Sequence, residues 1–328
     1  MSATPDPREA PAGPVLPLGE NPAAALEAAA WALAALVSTS REALTTPLAD
    51  VLASDPQRTA VLESVGLVRR SESGFVPHPS LTPADVATGR SAVEAKLSSL
   101  RQAVSAAAVD AGDAGDGGWA AQSDEVLLNQ GRASAATGRA LATKVVPQLP
   151  GLAARLAAPG SRVLDVGVGV AALAQALARE FPETHVVGID VLERALVLAR
   201  GELAEASPEV SSRVSLRRQD VAEVSERDAF ALVWLPAPFL PEAALQAALP
   251  RLAEALVPGG WLVTGTNPAA DEAVRVSVGR WIAVRNGGNS YDTARMVSAL
   301  EAQGLVDSRT FPTVPGGPVL VAARRPEA

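Results

Sequence analysis

The segment Val163-Leu164-Asp165-Val166-Gly167-Val168-Gly169-Val170-Ala171 carries the densest chemical signal in the chain. An apolar strand ends there in a glycine-rich turn and runs straight into a helical pattern. Gly167 and Gly169 permit the tight backbone geometry that lets a ligand approach the main chain. The helix start beyond them offers N–H groups that have no partner inside the helix. Asp190 stands twenty-one residues after Gly169, at the end of Val187-Gly188-Ile189, and Asp220 closes a third such run after Arg218-Gln219. An acid in the position of Asp190 can accept hydrogen bonds from both hydroxyls of a ribose. This constellation suits a nucleoside-containing cofactor lying along the carboxyl ends of parallel strands.

The elements that must position these residues alternate. β-Rich runs at 162–166, 185–189, 214–218, 231–235 and 261–265 are separated by helical patterns at 171–180, 192–205 and 242–256. That alternation predicts an α/β class with a parallel sheet covered by helices on both faces. Ahead of it, Asn21-Pro22 opens a helix to about residue 37, with Asn21 as N-cap and Pro22 in the first turn. Thr45-Thr46-Pro47 opens a second helix by the same logic, and Asp55-Pro56 a third that ends at Gly66. Residues 67–70 and 75–77 then read as the arms of a hairpin, and helical patterns follow at 83–109 and 124–146. The glycine- and aspartate-rich stretch 110–118 reads as a linker. The expected division is a disordered leader 1–20, a helical domain 21–110, a linker 111–120 and a cofactor domain 121–328.

Composition narrows the chemistry. The chain has 328 residues, no cysteine and two histidines, His78 and His185. Disulfides, thiolate metal sites and a cysteine nucleophile are excluded, and a multi-histidine metal site is not expected, so no metal is assigned. Net charge is −8, and residues 1–90 hold six basic against ten acidic side chains, which argues against a nucleic-acid partner. The apolar run 23–37 is broken by Glu27 and is short for a membrane span, and residues 1–20 lack the pattern of a signal peptide. A cytoplasmic protein without a membrane partner is expected.

Asp-Val-Gly-Val-Gly at 165–169, Gly-Ile-Asp at 188–190, Gln-Asp-Val at 219–221 and Pro-Gly-Gly-Trp-Leu at 258–262 resemble successive motifs of the class I S-adenosylmethionine-dependent methyltransferases. The resemblance runs over roughly residues 125–325. It implies a Rossmann-like seven-stranded, mostly parallel sheet with an antiparallel last strand, closed by a terminal hairpin around Pro315-Gly316-Gly317-Pro318. It also implies roles. Asp165 and the Gly167–Gly169 backbone would hold the methionine end of the cofactor S-adenosyl-L-methionine. Asp190 would meet the ribose and Asp220 with the Val221 N–H the adenine, with Val191 also among the cofactor-binding residues. Gln130 and Trp234 would lie beside the cofactor. The three helices and hairpin of 21–110 are similar to the winged-helix-like dimerisation domain of small-molecule O-methyltransferases, which implies a homodimer and a small-molecule acceptor, such as a secondary metabolite.

Two other readings stay open at this point. Gly167-x-Gly169-x-x-Ala172 also fits an NAD(P)-dependent oxidoreductase, although Asp165 and the 258–262 motif are not part of that fingerprint. A non-catalytic or regulatory protein that keeps the cofactor fold is the other. No catalytic residue is assigned, because O-methyltransferases of this type carry a histidine base in the carboxyl-terminal half. Here His185 falls at the start of a strand, on the wrong end, and His78 sits in a loop between prolines. The 234–241 segment, Trp-Leu-Pro-Ala-Pro-Phe-Leu-Pro, offers no side-chain acceptor for an amine substrate. Phe239, Trp281, Arg285 and Tyr291 are the expected acceptor-side residues, with Asp292 capping the last helix.

Overall fold

A computed structural model of the protein describes residues 21–72, 74–83, 86–108, 118–266, 273–313 and 319–327. The chain forms two compact units, and it crosses between them more than once: 118–122 belongs with the sheet that follows, and 123–134 with the helices that precede.

The N-terminal unit holds α1 (Pro22–Glu42), α2 (Leu48–Ser54), α3 (Pro56–Ser64), a hairpin of β1 (Val68–Ser71) and β2 (Gly74–Pro77), α4 (Val86–Ala108) and the first part of α5 (Asp124–Ala140). Its starts follow the sequence. Asn21 Oδ1 accepts from Ala24 N, and Asp55 Oδ1 from Arg58 N. Gly66, at φ 74°, ends α3 while the Leu67 N–H reaches back to Leu62 O, so the left-handed cap that glycine favours turns the chain into β1. Leu36, Leu52, Leu62, Val68 and Leu81 form its core. Two expectations are corrected. Pro47 precedes α2 rather than opening it and no side chain caps that helix. Helix α1 has 21 residues and is, by length and composition alone, long and apolar enough to cross a membrane.

The sheet unit orders its strands β5-β4-β3-β6-β7-β9-β8. β3 (Arg162–Val166), β4 (His185–Asp190), β5 (Val214–Arg218), β6 (Phe230–Leu235) and β7 (Leu256–Gly265) run parallel; β9 (Val319–Arg324) lies antiparallel between β7 and β8 (Val306–Pro312). All six residues of β6 are buried, as a central strand covered on both faces requires. The covering helices include α6 (Leu152–Leu156), α7 (Ala172–Glu180), α8 (Glu193–Ala204), α9 (Pro208–Ser211), α10 (Glu242–Ala255) and, beyond α11 (Ala273–Arg285), which adds no described residue to either buried cluster, α12 (Thr293–Glu301). They split the core into two apolar layers, one around Leu173, Leu177 and Trp261, the other around Leu245, Leu252 and Leu262.

Two boundaries differ from the sequence reading. Helix α5 gives way at Leu141–Val145 to a π-helical turn and then to a short 3-10 turn, where Pro147 has no N–H to continue the ladder. β7 begins at Leu256, directly after α10. Its register slips opposite Phe230–Leu232 to absorb Pro258 to Gly260, with Gly259 at φ 74°. Residues 110–117 and 314–318, on which the expected linker and hairpin tip fall, lie outside the described residues, as do 267–272.

Candidate functional site

The turn from β3 to α7 departs from ordinary backbone at alternate residues: Gly167 at φ 61°, Gly169 at 55° and Ala171 at 63°. Glycine adopts this region freely, whereas Ala171 holds it against the steric cost that any Cβ brings there. Val168 N donates to Ile189 O at 2.9 Å, tying the turn to the end of β4. Gly188 makes that crossing possible, because a Cβ on it would lie 2.5 Å from Val168 Cγ2.

Asp165 closes β3 beneath this turn. Its side chain is 2% exposed, and Oδ2 has no hydrogen-bond partner. Burial first, and the neighbouring Asp190 carboxylate second, push its pKa up to about 8, against a hydrogen bond from the Ala174 N–H. A buried carboxyl with an idle oxygen is costly unless something supplies a donor or a positive charge.

Asp190 ends β4 half-buried. Gly169 N donates to its Oδ2 at 3.0 Å and Leu192 N to its Oδ1 at 2.9 Å. Burial raises its pKa, and these backbone donors act in the opposite direction. Val191 beside it is 54% exposed, which leaves apolar surface open at the strand end. Gln219 N donates to Asp190 O and so brings the end of β5 alongside; Asp220 there is exposed and accepts from Ala222 N at 2.9 Å, with Val221 buried behind it. Asp165, Gly167, Gly169, Asp190, Val191, Asp220 and Val221 thus share one edge of the sheet, as three adjacent strands order them.

On the other side of β3 the chain leaves β6 through Pro236, whose Cγ is 3.4 Å from where a Gly167 Cβ would stand. Phe239 follows, 54% exposed, with the Trp119 ring edge-on at 5.5 Å and 74°. Asn289 fixes this loop from opposite. Its Nδ2 donates to Ala237 O at 2.6 Å and Leu240 O at 2.9 Å, and its Oδ1 accepts from Tyr291 N at 2.8 Å. Gly288 sits so close that a Cβ would lie 1.8 Å from Pro238 O.

Several expected residues sit elsewhere. Trp234 is the register partner of Asp165, but its side chain is 7% exposed and packs in the sheet core, so it is not a wall of an open site. Tyr291 is core as well, 4% exposed, with Gln246 donating to its hydroxyl and Arg295 stacked 3.8 Å over its ring. A lone tyrosine on a polar loop reads as a pocket residue in sequence; the apolar layer beneath the loop claims it instead. Trp281, on α11, is 58% exposed, and Arg285 ends that helix half-buried. Gln130 belongs to the N-terminal unit. His185 opens β4 at the end opposite Asp190 and bonds Ser215 Oγ at 3.0 Å, while His78 caps a short turn in the N-terminal unit. Sequence reasoning missed Trp119, Arg194 and Asn289. A bulky tryptophan directly after Gly117-Gly118 was a usable signal for the first; the other two are ordinary polar residues in sequence. Among the described residues no group of three or more His, Asp or Glu side chains could hold a metal.

The comparisons agree with this geometry. Residues 163–260 match the family described as "Methyltransferase domain". No curated protein sequence matches the chain. Among solved structures, the S-adenosylmethionine-dependent methyltransferase SibL in its apo form is similar at TM-score 0.65 and 19% identity, over 92% of this chain and 98% of that one. Human N-acetylserotonin methyltransferase in complex with its cofactor gives TM-score 0.63 and 14% identity over 92% and 96%. An O-methyltransferase family protein from Burkholderia thailandensis gives 0.62 and 15% over 94% and 96%. The chain is thus built on the fold of the class I, S-adenosylmethionine-dependent methyltransferases, with its methyltransferase domain at residues 163–260.

Proposed function

We propose that this protein binds S-adenosylmethionine along the carboxyl ends of β3, β4 and β5 and transfers its methyl group to a small organic acceptor, of the kind that SibL-like and O-methyltransferase relatives suggest. The observation that carries the reading is Asp165 Oδ2, buried and without a donor beneath a turn of alternating left-handed residues. An amino-acid ammonium is the donor this carboxyl lacks. Asp165 and the Gly167–Gly169 main chain hold the methionine end, Asp190 the ribose hydroxyls, and Asp220, Val191 and Val221 the adenine side.

When bound, the cofactor supplies a methyl group already activated toward in-line displacement. The chain's own work is then alignment and exclusion of water. Pro236 and Phe239 form the wall on the acceptor side, with Trp119 closing it. His185 does not serve as base at this edge, because it opens β4 at the far end. An acceptor whose own group is nucleophilic at neutral pH fits such a site best.

The N-terminal unit supports a further part of the proposal. Its three helices and hairpin suit a winged-helix-like module over 21–110 that makes a homodimer, with the cofactor domain following it and residues 123–134 counted with the helical unit. Calorimetric titration of the protein with S-adenosylmethionine, S-adenosylhomocysteine and NADH tests the reading. Micromolar binding of the two adenosyl ligands alone is expected; binding of NADH alone, or of none of the three, rejects it. The dimer is tested by mass in solution, where a monomer at micromolar concentration rejects it.

A further inference from the structure

Residues 118–122 are fixed from two sides on the sheet unit. From one side comes Arg194, the second residue of α8. Its Nη1 donates to Ala120 O at 3.3 Å and its Nη2 to Gln122 O. Arg194 stands two residues beyond Leu192, whose N–H holds Asp190. From the other side, Gln122 Nε2 donates to Asn286 Oδ1 at 3.4 Å and Trp119 stands against Phe239. Gly118, at φ 40°, lies where a Cβ would meet Asn286 O at 3.2 Å.

The placement follows from strand order. Arg194 comes after β4 and Phe239 after β6, and these two strands flank β3. The segment therefore stretches over the carboxyl end of β3, where Asp165 and the glycine turn stand. Both Arg194 contacts are to main-chain carbonyls, so the grip is on the path of the segment and not on its side chains. A planar guanidinium reaches two carbonyls at once; a lysine ammonium does not reproduce that fork. The Trp119 Nε1 is buried with no partner, so the ring is held by its surroundings and leaves a donor unspent.

We propose that residues 118–122 are a strap across the cofactor site and that Arg194 is its latch, a positioning residue that retards escape of the bound nucleoside and holds Trp119 in place as an acceptor-side wall. The inference rests on the cofactor reading above. Releasing the latch frees the strap without touching the groups that hold the cofactor. The dissociation rate rises, therefore, and the association rate stays near its original value.

The full chain is compared with Arg194→Ala, Arg194→Lys and Gln122→Ala. Hydrogen exchange at the 119–122 amides is read without ligand, and release of S-adenosylhomocysteine is read by stopped-flow displacement. Arg194→Ala is expected to exchange faster at 119–122 and to release the ligand about tenfold faster, the effect of losing one or two exposed charge-assisted bonds. Arg194→Lys should restore part of both effects. Gln122→Ala, which frees only the other anchorage, keeps the test alive if Arg194→Ala unfolds, and should raise the release rate by a smaller factor. Unchanged exchange and unchanged release in the folded variants overturn the latch. A wild-type chain that binds no S-adenosylhomocysteine overturns the cofactor reading and the strap's placement with it, while exchange at 119–122 still decides whether Arg194 holds the segment.

Discussion

The main-chain N–H of Gly169 donates to Oδ2 of Asp190 at 3.0 Å, across 21 residues of sequence. The acid proposed to meet the ribose is also the acceptor that pins the glycine turn. Cofactor affinity and turn geometry are coupled through one carboxylate. Asp190→Ala should therefore weaken S-adenosylhomocysteine binding by about 2–4 kcal/mol, the cost of two lost charge-assisted hydrogen bonds and a loosened turn. Calorimetry reads this directly, and an unchanged dissociation constant would falsify the placement of the ribose.

Asp165 predicts a pH dependence. Its pKa is raised in the folded chain to about 8, from an ordinary value of 3.8. Between those two pH values the folded state holds a proton that the unfolded state has released. The stability linked to Asp165 is thus fully present below the ordinary carboxylate range and is lost as pH rises through about 8. Asp165→Asn should lack this loss: its denaturation midpoint relative to wild type should climb as pH goes from acid to mildly alkaline. The same variant should bind S-adenosylmethionine more weakly than wild type above about pH 8, with the deficit shrinking as pH falls. In wild type, holding an ammonium requires the carboxylate, so ligand binding should release protons in this window. Calorimetry in buffers of different ionisation enthalpy measures that release, and none at neutral pH would contradict the role given to Asp165.

Two glycines should respond in opposite directions. Gly201 lies in α8 with nothing within 4 Å of a Cβ, so Gly201→Ala should stabilise the protein by about 0.5–1 kcal/mol. At Gly288 a Cβ would stand 1.8 Å from Pro238 O, so Gly288→Ala must displace the 236–240 loop and should destabilise by about 2 kcal/mol or more. Chemical denaturation of both variants checks the pair, and similar midpoints would show the loop packing to be misplaced.

Asn289 spends its amide on the loop that carries Phe239. Asn289→Ala should lower stability by about 2–3 kcal/mol through unmet buried carbonyls and an unmet N–H. Once an acceptor is identified, its KM should rise, while S-adenosylhomocysteine affinity stays near wild type. A variant that loses both affinities equally would show that the loop does not act on the acceptor side alone.

The sequence by itself determined the sheet and the edge on which the site is built. Short continuous apolar runs, the 165–171 turn and acids at 190 and 220 are local patterns, and strand order in a parallel sheet brings their ends together. Helix starts at Asn21 and Asp55 were legible for the same reason, since a cap needs only the neighbouring N–H groups. Tertiary structure alone decided the rest. It buried Trp234 and Tyr291 in the two apolar layers, because a side chain's face depends on what packs against its strand or loop. It left Asp165 Oδ2 without a partner, and it brought Arg194 to Ala120 and Asn289 to Ala237, contacts across 74 and 52 residues. Long-range hydrogen bonds of this kind carry no periodicity and no spacing rule, so only the folded chain reveals which polar residues hold the site together.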